Sequence, residues 1–292
     1  MRFDSYHPTI NFIFFAAVIA CTATFNHPVF VAISYIAAFA YSVKLNKIRG
    51  LIFDLCLIPL ILFYAGFYSY YNHFGLTPLR QNFIGNSITM EALVYGLILG
   101  LIIASIIMWM SCLFAIFSAD KVVYLFGRIS PKLSLFLSIL LRSVPRIKER
   151  ARRINVSQRG IGRGIKDGNP LRRFINILRL LSILITWTLE NFVESAKSMK
   201  CRGYSLKGRT AFSIYRFDNR DRGFVMAVTV CMTLTAMAVM LDQTDIYYDP
   251  EIIMNRITFM SYIFYAAYGA LLLLPLVLQI VGEWRFKRLA RD

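Results

Sequence analysis

The sequence predicts an all-α integral membrane protein with about six transmembrane helices and a long helical hairpin on the cytoplasmic side. Three observations predict this fold class: the composition, the uncharged runs and the position of the basic residues. Hydrophobic residues make up 57% of the 292 residues, and the mean hydropathy is +0.56. This is more apolar surface than one soluble core can bury, so the chain is interpreted as spans and loops.

Uncharged runs identify the helices that can cross the membrane. A hydrocarbon layer of about 30 Å needs a helix of about 17 to 25 apolar residues. The clearest run is 92–119, the runs 223–241 and 257–282 are similarly plain, and the run 51–71 carries a single acid, Asp54. These four runs are predicted to be transmembrane helices.

Residues 9–43 are also apolar, but Asn26-His27-Pro28 interrupts them. The break leaves two pieces of roughly 16 residues each, which is short for a full span. We interpret them as two short or tilted helices. Together with the four plain runs they give six spans.

Two features inside the spans predict local structure. Gly96 and Gly100 form a small-xxx-small face, which predicts close packing against another helix. Asp54 lies about a turn and a half from Lys47 and Arg49, so it is interpreted as a residue at the cytoplasmic interface. A proton or ion site is the alternative, because acids within a membrane often serve that purpose.

Lys and Arg are concentrated in one segment of the chain. Residues 121–222 hold 23 of the 33 basic residues but only 6 of the 16 acidic ones, so this segment carries the whole net charge of +17. Basic loops stay on the cytoplasmic side, which places this segment and both termini in the cytoplasm. The predicted organisation is transmembrane helices 1–4 in 1–119, cytoplasmic helices in 120–222, and transmembrane helices 5–6 with a basic tail in 223–292. We expect a multi-pass protein of the cell membrane with no cleavable signal.

Two helix-start signals predict the structure of the cytoplasmic segment. Ser130-Pro131 and Asn169-Pro170 each place a polar N-cap before a proline at the first helical position. The first helical pattern continues to Gly160 and the second to Gly203, with a Gly-rich turn between them. At 1.5 Å per residue each arm would be roughly 40 to 50 Å long. We expect Gly160 and Gly203 to be the left-handed residues that end the two helices.

Each arm ends on an arginine followed by a glycine, Arg159-Gly160 in the first and Arg202-Gly203 in the second. A purely structural explanation exists, because a cation near a helix C-terminus is favoured by the helix dipole. Two such pairs in one hairpin instead favour two docking contacts with partner proteins. Arginine suits that purpose because its planar fork offers five donors to carboxylates and carbonyls.

Two stretches around these pairs carry a family resemblance. They read LLRSVPRIKERARRINVSQRGIG (140–162) and VESAKSMKCRGYSLKGRTAF (193–212). They resemble the transmembrane T component of energy-coupling-factor (ECF) transporters, a group that includes cobalt, nickel and vitamin uptake systems. The usual pattern there is two Ala-Arg-Gly-like signatures, each ending a long cytoplasmic coupling helix. Here the signatures are Gln158-Arg159-Gly160 and Cys201-Arg202-Gly203, with the alanine replaced in both.

The resemblance is specific from about residue 130 to 222 and includes GRT (208–210) and DNRDRGF (218–224). It implies a scaffold and coupling subunit of an ABC-type importer. Arg159 and Arg202 would transmit force from two ATPase subunits, and Gly160 and Gly203 would permit close approach. The transmembrane helices and the apolar surface of the hairpin would hold a separate membrane-embedded substrate-binding subunit. Movement of the hairpin arms, driven by ATP, would reorient that subunit. The transported vitamin or transition-metal ion is then specified by that subunit and not by this chain.

The sequence carries no pattern for catalysis or for a metal site. It has no G-x-x-x-x-G-K-[ST] run, so ATP would be bound by the partner subunits, and we expect neither enzyme activity nor a cofactor in this chain. No pair of residues has a metal-ligand spacing. The cysteines and histidines are scattered singly: Cys21, Cys56, Cys112, Cys201, Cys231, His7, His27 and His73.

Three other functions are open to a chain of this composition. A self-contained secondary transporter or channel would need polar residues inside its spans, yet Asp54 is the only acid in the clear spans. A membrane enzyme such as a lipid phosphotransferase would need clustered acids, and none follow Asp167-Gly168 at helical spacing. The basic segment would also attract anionic lipid or RNA. The acidic residues and apolar stretches of this segment suit a folded hairpin better than a nucleic-acid-binding arm. We therefore expect contact with the lipid bilayer and not with nucleic acid.

Overall fold

The computed structural model describes residues 3–81, 87–204, 206, 215, 217–249, 252–255 and 257–290. These residues form eight α-helices, a 3-10 turn and two short strands, which confirms the predicted all-α class. The strands β1 and β2 pair antiparallel between α2 and α3. The bounds are Phe3–Ser5 for the 3-10 turn, α1 Pro8–Thr24, α2 Pro28–Tyr71, β1 Pro78–Gln81, β2 Ser87–Thr89, α3 Met90–Ile116, α4 Ala119–Ile129, α5 Pro131–Gly160, α6 Pro170–Cys201, α7 Asn219–Met240 and α8 Phe259–Leu289.

Five of the described helices are long and apolar enough to cross a membrane: α2, α3, α6, α7 and α8. The shorter α1 is also apolar and has 17 residues. In α6 the most apolar window has a mean hydropathy of 1.2, against 2.0 to 2.5 in the other four. The sequence places α6 in the cytoplasmic hairpin, and that placement stays a prediction.

The contacts divide the chain into two compact units. The first consists of residues 1–118 and 215–292 and is called the apolar unit here. The second consists of residues 119–214 and is called the basic unit, because most of the excess positive charge lies in it. The functional residues proposed from sequence all lie in the basic unit.

A chain of hydrogen bonds joins four helices inside the apolar unit. The indole Nε1 of Trp109 donates to Ser34 Oγ at 3.3 Å. Thr22 Oγ1 lies 2.9 Å from Ser34 Oγ and 3.4 Å from the hydroxyl of Tyr268. All four side chains are buried, so each polar atom needs a partner within the protein. The network therefore fixes α1, α2, α3 and α8 against one another.

The helix α2 folds back on itself at Lys47, whose φ is 53° and ψ is −133°. Ser42 Oγ donates to Asp54 Oδ1 at 3.1 Å, although residues twelve apart in a straight helix are about 18 Å apart. A Cβ on Gly50 would lie 2.8 Å from the carbonyl oxygen of Ser42, so glycine permits this approach. The predicted runs 28–43 and 51–71 are thus two helices separated by one non-helical residue, and Asp54 is fully buried beside the turn.

The second half of α2 packs closely against α3, as the small-residue face predicts. A Cβ on Gly96 would lie 3.0 Å from the carbonyl oxygen of Ala65. A Cβ on Gly100 would lie 3.1 Å from that of Ile61. These distances are at the lower limit of van der Waals contact, so the two helices can approach this closely only because both positions are glycine.

The basic unit begins with α4, a helix that the sequence reasoning did not predict. It has 11 residues, which is too short to give an apolar run. It packs against α5. A Cβ on Gly127 of α4 would lie 2.9 Å from Ser134 Oγ of α5, so this glycine too marks a close helix contact.

Candidate functional site

The helices α5 and α6 are joined by a contact between Arg150 and Asn191. Arg150 Nη2 donates to Asn191 Oδ1 at 2.8 Å, and its guanidinium lies 5.1 Å from the centre of the Trp187 ring. Asn191 Nδ2 donates in turn to the carbonyl oxygen of Trp187 at 2.7 Å, which orients the amide. Each helix continues about ten residues beyond this contact, or roughly 15 Å, to its arginine-glycine pair.

The turn between the two helices, 161–169, is held by side chains. Asn155 Oδ1 on α5 accepts from the backbone N–H of Ile165 at 3.2 Å. Asn176 Nδ2 on α6 donates to the carbonyl oxygen of Gly164 at 3.0 Å. Asp167 Oδ2 accepts from the Gly164 N–H at 3.0 Å. The Gly-rich turn is therefore bonded to both arms.

The first signature lies in the last turn of α5. Ile161 is the C-cap, and Gly162 has the left-handed φ of 69°. The N–H of Gly162 donates to Arg159 O at 3.0 Å, and that of Arg163 donates to Gln158 O at 2.9 Å. This pair of bonds is a Schellman motif. The prediction that Gly160 takes the left-handed conformation after the helix is wrong. Gly160 is the last residue of the helix, and Gly162 takes the left-handed conformation instead.

The second signature lies at the end of α6, which also ends in a Schellman motif. Relative to its signature arginine, α6 ends two residues earlier than α5 does. Arg202 is the C-cap, and Gly203 has a φ of 75°, as predicted. The N–H of Gly203 donates to Lys200 O at 3.1 Å, and that of Tyr204 donates to Met199 O at 3.2 Å. The helix ends share the Schellman motif, but Arg202 occupies its C-cap position whereas Arg159 lies two residues before the C-cap Ile161.

Both signature arginines are exposed and available to a partner. In the described part of the chain no hydrogen bond or ion pair engages the guanidinium of Arg159 or of Arg202. Cys201 is exposed as well. The amide Oε1 of Gln158 is occluded and has no hydrogen-bond partner among the described residues, so this side chain is not engaged in stabilising the helix end through that atom.

Other contacts of the acids in the basic unit are as follows. Glu149 pairs with Arg153 of the same helix at 3.3 Å, and Asp167 bonds to the turn. Glu190 and Glu194 line a separate surface on α6 together with Thr186. Among the described residues neither signature arginine is held in an ion pair, so both guanidinium groups are available to an acidic or carbonyl-rich partner surface.

The remaining motifs of the family resemblance are less informative. The GRT motif (208–210) lies outside the described residues. Within DNRDRGF, Asp218 is the N-cap of α7 and its backbone N–H donates to Asp221 Oδ2 at 3.1 Å, which completes a capping box. In the described part of the chain no group of three or more His, Cys, Asp and Glu side chains is arranged to hold a metal ion.

Two curated proteins match this chain, and no family model does. One is named Energy-coupling factor transporter transmembrane protein EcfT, from Bacillus selenitireducens, and is 30% identical over 108 residues, covering 37% of this chain and 40% of that protein. This chain is similar to EcfT. A second protein of the same name, from Leuconostoc gelidum subsp. gasicomitatum, is 29% identical over 110 residues, covering 35% of this chain and 41% of its own length.

The similarity to EcfT confirms the resemblance to the ECF transmembrane component. The match spans about two fifths of the length of these curated relatives. Their name, together with the five long apolar helices, supports a membrane protein and a transmembrane component of an ECF transporter.

Proposed function

We propose that this chain is the scaffold and coupling subunit of an ECF-type importer. In this role it binds two ATP-binding-cassette subunits in the cytoplasm and a substrate-binding subunit in the membrane. ATP is bound and hydrolysed by the ATPases, and this chain contributes no catalytic residue and no cofactor. Both termini are cytoplasmic in this proposal, as the distribution of Lys and Arg predicts.

The observation that supports this function best is the pair of free arginines at the ends of two joined helices. Arg159 and Arg202 are exposed and unpaired within the described residues, and the Arg150–Asn191 bond connects the helices that carry them. A force applied at either end is therefore transmitted to a bonded pair of helices and not to a flexible loop. A bidentate guanidinium contact would hold such an end in a groove of an ATPase.

The two ends present their arginines differently, and this suggests distinct sockets. Arg202 is the C-cap beside a left-handed glycine, whereas Arg159 projects from the last helical turn. One groove geometry does not accommodate both in the same way. We infer that the two ends engage non-equivalent surfaces, either on two different ATPases or on two copies of one ATPase in different positions.

The substrate is a vitamin or a transition-metal ion in this proposal, and its identity resides in the separate binding subunit. A self-contained secondary transporter is the alternative. The buried carboxylate of Asp54 is the observation that favours it, but its Oδ1 is bonded to Ser42 beside a tight turn, which is a structural use of an acid.

Purification from native membranes in a mild detergent tests the proposed assembly. We expect one or two ATPase subunits and a small membrane protein to elute with the chain in fixed ratio. The secondary-transporter alternative instead predicts that the chain purifies alone and transports a solute in liposomes without ATP. That result would exclude the scaffold function.

A further inference from the structure

A cleft between α5 and α6 lies next to the Arg150–Asn191 contact. Three arginines line it from α5 at four-residue spacing: Arg142, Arg146 and Arg150. Residues spaced four apart lie on one face of a helix, so the three guanidinium groups form a row along the cleft. On the α6 side the lining includes Asn191 and the hydroxyl of Ser195.

The charge of this cleft is not compensated. In the described part of the chain no Asp or Glu side chain lines it, and neither Arg142 nor Arg146 has a hydrogen-bond or ion-pair partner there. Arg150 is different, because Asn191 and the Trp187 ring hold its guanidinium in place. One fixed cation beside two free ones is an arrangement that binds an oxyanion, since arginine forks pair with phosphate oxygens in bidentate fashion.

The cleft also has an apolar part. Leu135 and Ile139 of α5 and Phe192 of α6 belong to its lining. Ile147 of α5 and Met199 of α6 line it as well. Apolar side chains beside a row of arginines fit a ligand that has a charged head and a hydrocarbon tail.

We propose that this cleft binds an anionic phospholipid, with the phosphate on Arg142, Arg146 and Arg150 and the acyl chains along the apolar faces of α5 and α6. The chemistry recognised at the arginines is that of a phosphate. A free phosphate would leave the apolar lining without a role, so the lipid is the source that uses the whole cleft. The bound lipid would hold α5 and α6 against each other along the cleft, which reaches Met199 and Tyr204 on either side of the second signature.

Titration of the full-length chain with phosphatidylglycerol in detergent, followed by native mass spectrometry, tests this site. Phosphatidylcholine serves as the lipid control. We expect one phosphatidylglycerol to bind in preference to phosphatidylcholine. The Arg142→Gln/Arg146→Gln variant is expected to lose about thirtyfold in affinity, because each cation near an anionic lipid contributes about fivefold.

The matched control is Arg152→Gln/Arg179→Gln, which removes the same charge from positions of α5 and α6 outside the cleft. We expect this variant to bind phosphatidylglycerol as the parent does. Equal losses in the two variants would show diffuse attraction and would overturn the site. Displacement of the lipid by millimolar inorganic phosphate would show that the site binds free anions. Equal binding of phosphatidylglycerol and phosphatidylcholine would indicate that the arginines bind an acidic protein partner. Either outcome contradicts the proposal.

Discussion

Arg150 on α5 and Asn191 on α6 form a hydrogen bond of 2.8 Å that connects the two arms of the basic unit. The bond lies about ten residues before the signature arginine of each helix. Arg159 is at the end of α5 that enters the turn, whereas Arg202 is at the end of α6 away from the turn. It combines a charged donor with a neutral acceptor that is itself oriented by the backbone of Trp187. In the proposed function this contact, together with the bonds of the turn, would carry motion of one end to the other.

A double-mutant cycle on Arg150→Gln and Asn191→Leu should show a coupling free energy of about 1 kcal/mol, as expected for a partly exposed hydrogen bond to a charged group. Thermal unfolding in detergent measures it. The pair Glu149 and Arg153, which lies within α5, serves as control and should give no more than about 0.5 kcal/mol. A cycle on Arg150 and Asn191 with no coupling would show that the bond does not connect the arms.

The two helix ends should respond differently to alanine at their glycines. Gly203 has a φ of 75°, and alanine in that conformation costs about 1 to 2 kcal/mol. Gly160 is helical and has open space around its Cβ position, so alanine there is tolerated or stabilises by up to about 1 kcal/mol.

Hydrogen–deuterium exchange of the two helix ends measures these effects. We expect amides near Gly203 to exchange about tenfold faster in Gly203→Ala, whereas those near Gly160 should be unchanged or slower in Gly160→Ala. Gly162→Ala is the positive control for the first end, because Gly162 has a φ of 69°. Faster exchange in Gly160→Ala would show that Gly160 takes the left-handed conformation after all.

Valine at Gly96 should destabilise the apolar unit. Its Cβ would lie 3.0 Å from the carbonyl oxygen of Ala65, so α2 and α3 would have to separate at a cost of about 1 to 3 kcal/mol. Gly66→Val is the matched control, because nothing lies within 4 Å of the Cβ position of Gly66. The melting temperature in detergent is the readout, and an equal decrease in both variants would refute the close contact.

The stability of the apolar unit should fall at acidic pH because of His27. This side chain is buried between α1 and α2, and its Nδ1 accepts from the Val29 N–H at 3.2 Å. Burial lowers the pKa of His27, whereas the unfolded chain binds a proton near pH 6.5. The unfolded state therefore holds more protons below that value, so stability is retained above about pH 6.5 and decreases as the pH falls further.

Melting temperatures between pH 7.5 and 5 check this prediction. His27→Asn should remove most of the pH dependence, because asparagine supplies an N-cap acceptor without titrating in this range. The same substitution at His73 is the control and should leave the dependence in place. A parent protein whose melting temperature is constant across this range would contradict the assignment.

The sequence predicted the arms well because their signals are local. Ser130-Pro131 and Asn169-Pro170 mark the first residues of α5 and α6, since a proline at the first helical position acts within one turn. The fold-back of α2 was not predictable in the same way. Lys47 adopts a positive φ, a conformation that is expected at glycine and not at lysine. The end of α5 was missed by two residues because two glycines compete for the left-handed position, and only the backbone shows which one takes it.

The candidate site was predictable only in part. The signature residues were found because each arginine-glycine pair is contiguous in the sequence. Arg150 and Asn191 are 41 residues apart and lie on different helices, so no spacing rule connects them. Their contact depends on how α5 packs on α6, which is a tertiary property.

We propose a coupling function in which Arg159 and Arg202 transmit force from two ATPases. Its most direct test is ATP-driven substrate uptake by the assembled transporter in proteoliposomes, with Arg159→Ala/Arg202→Ala compared with Arg152→Ala/Arg179→Ala. We expect the first variant to insert normally and to lose nearly all uptake, while the control variant transports as the parent does. Unchanged ATP-driven uptake with both signature arginines removed would contradict the account.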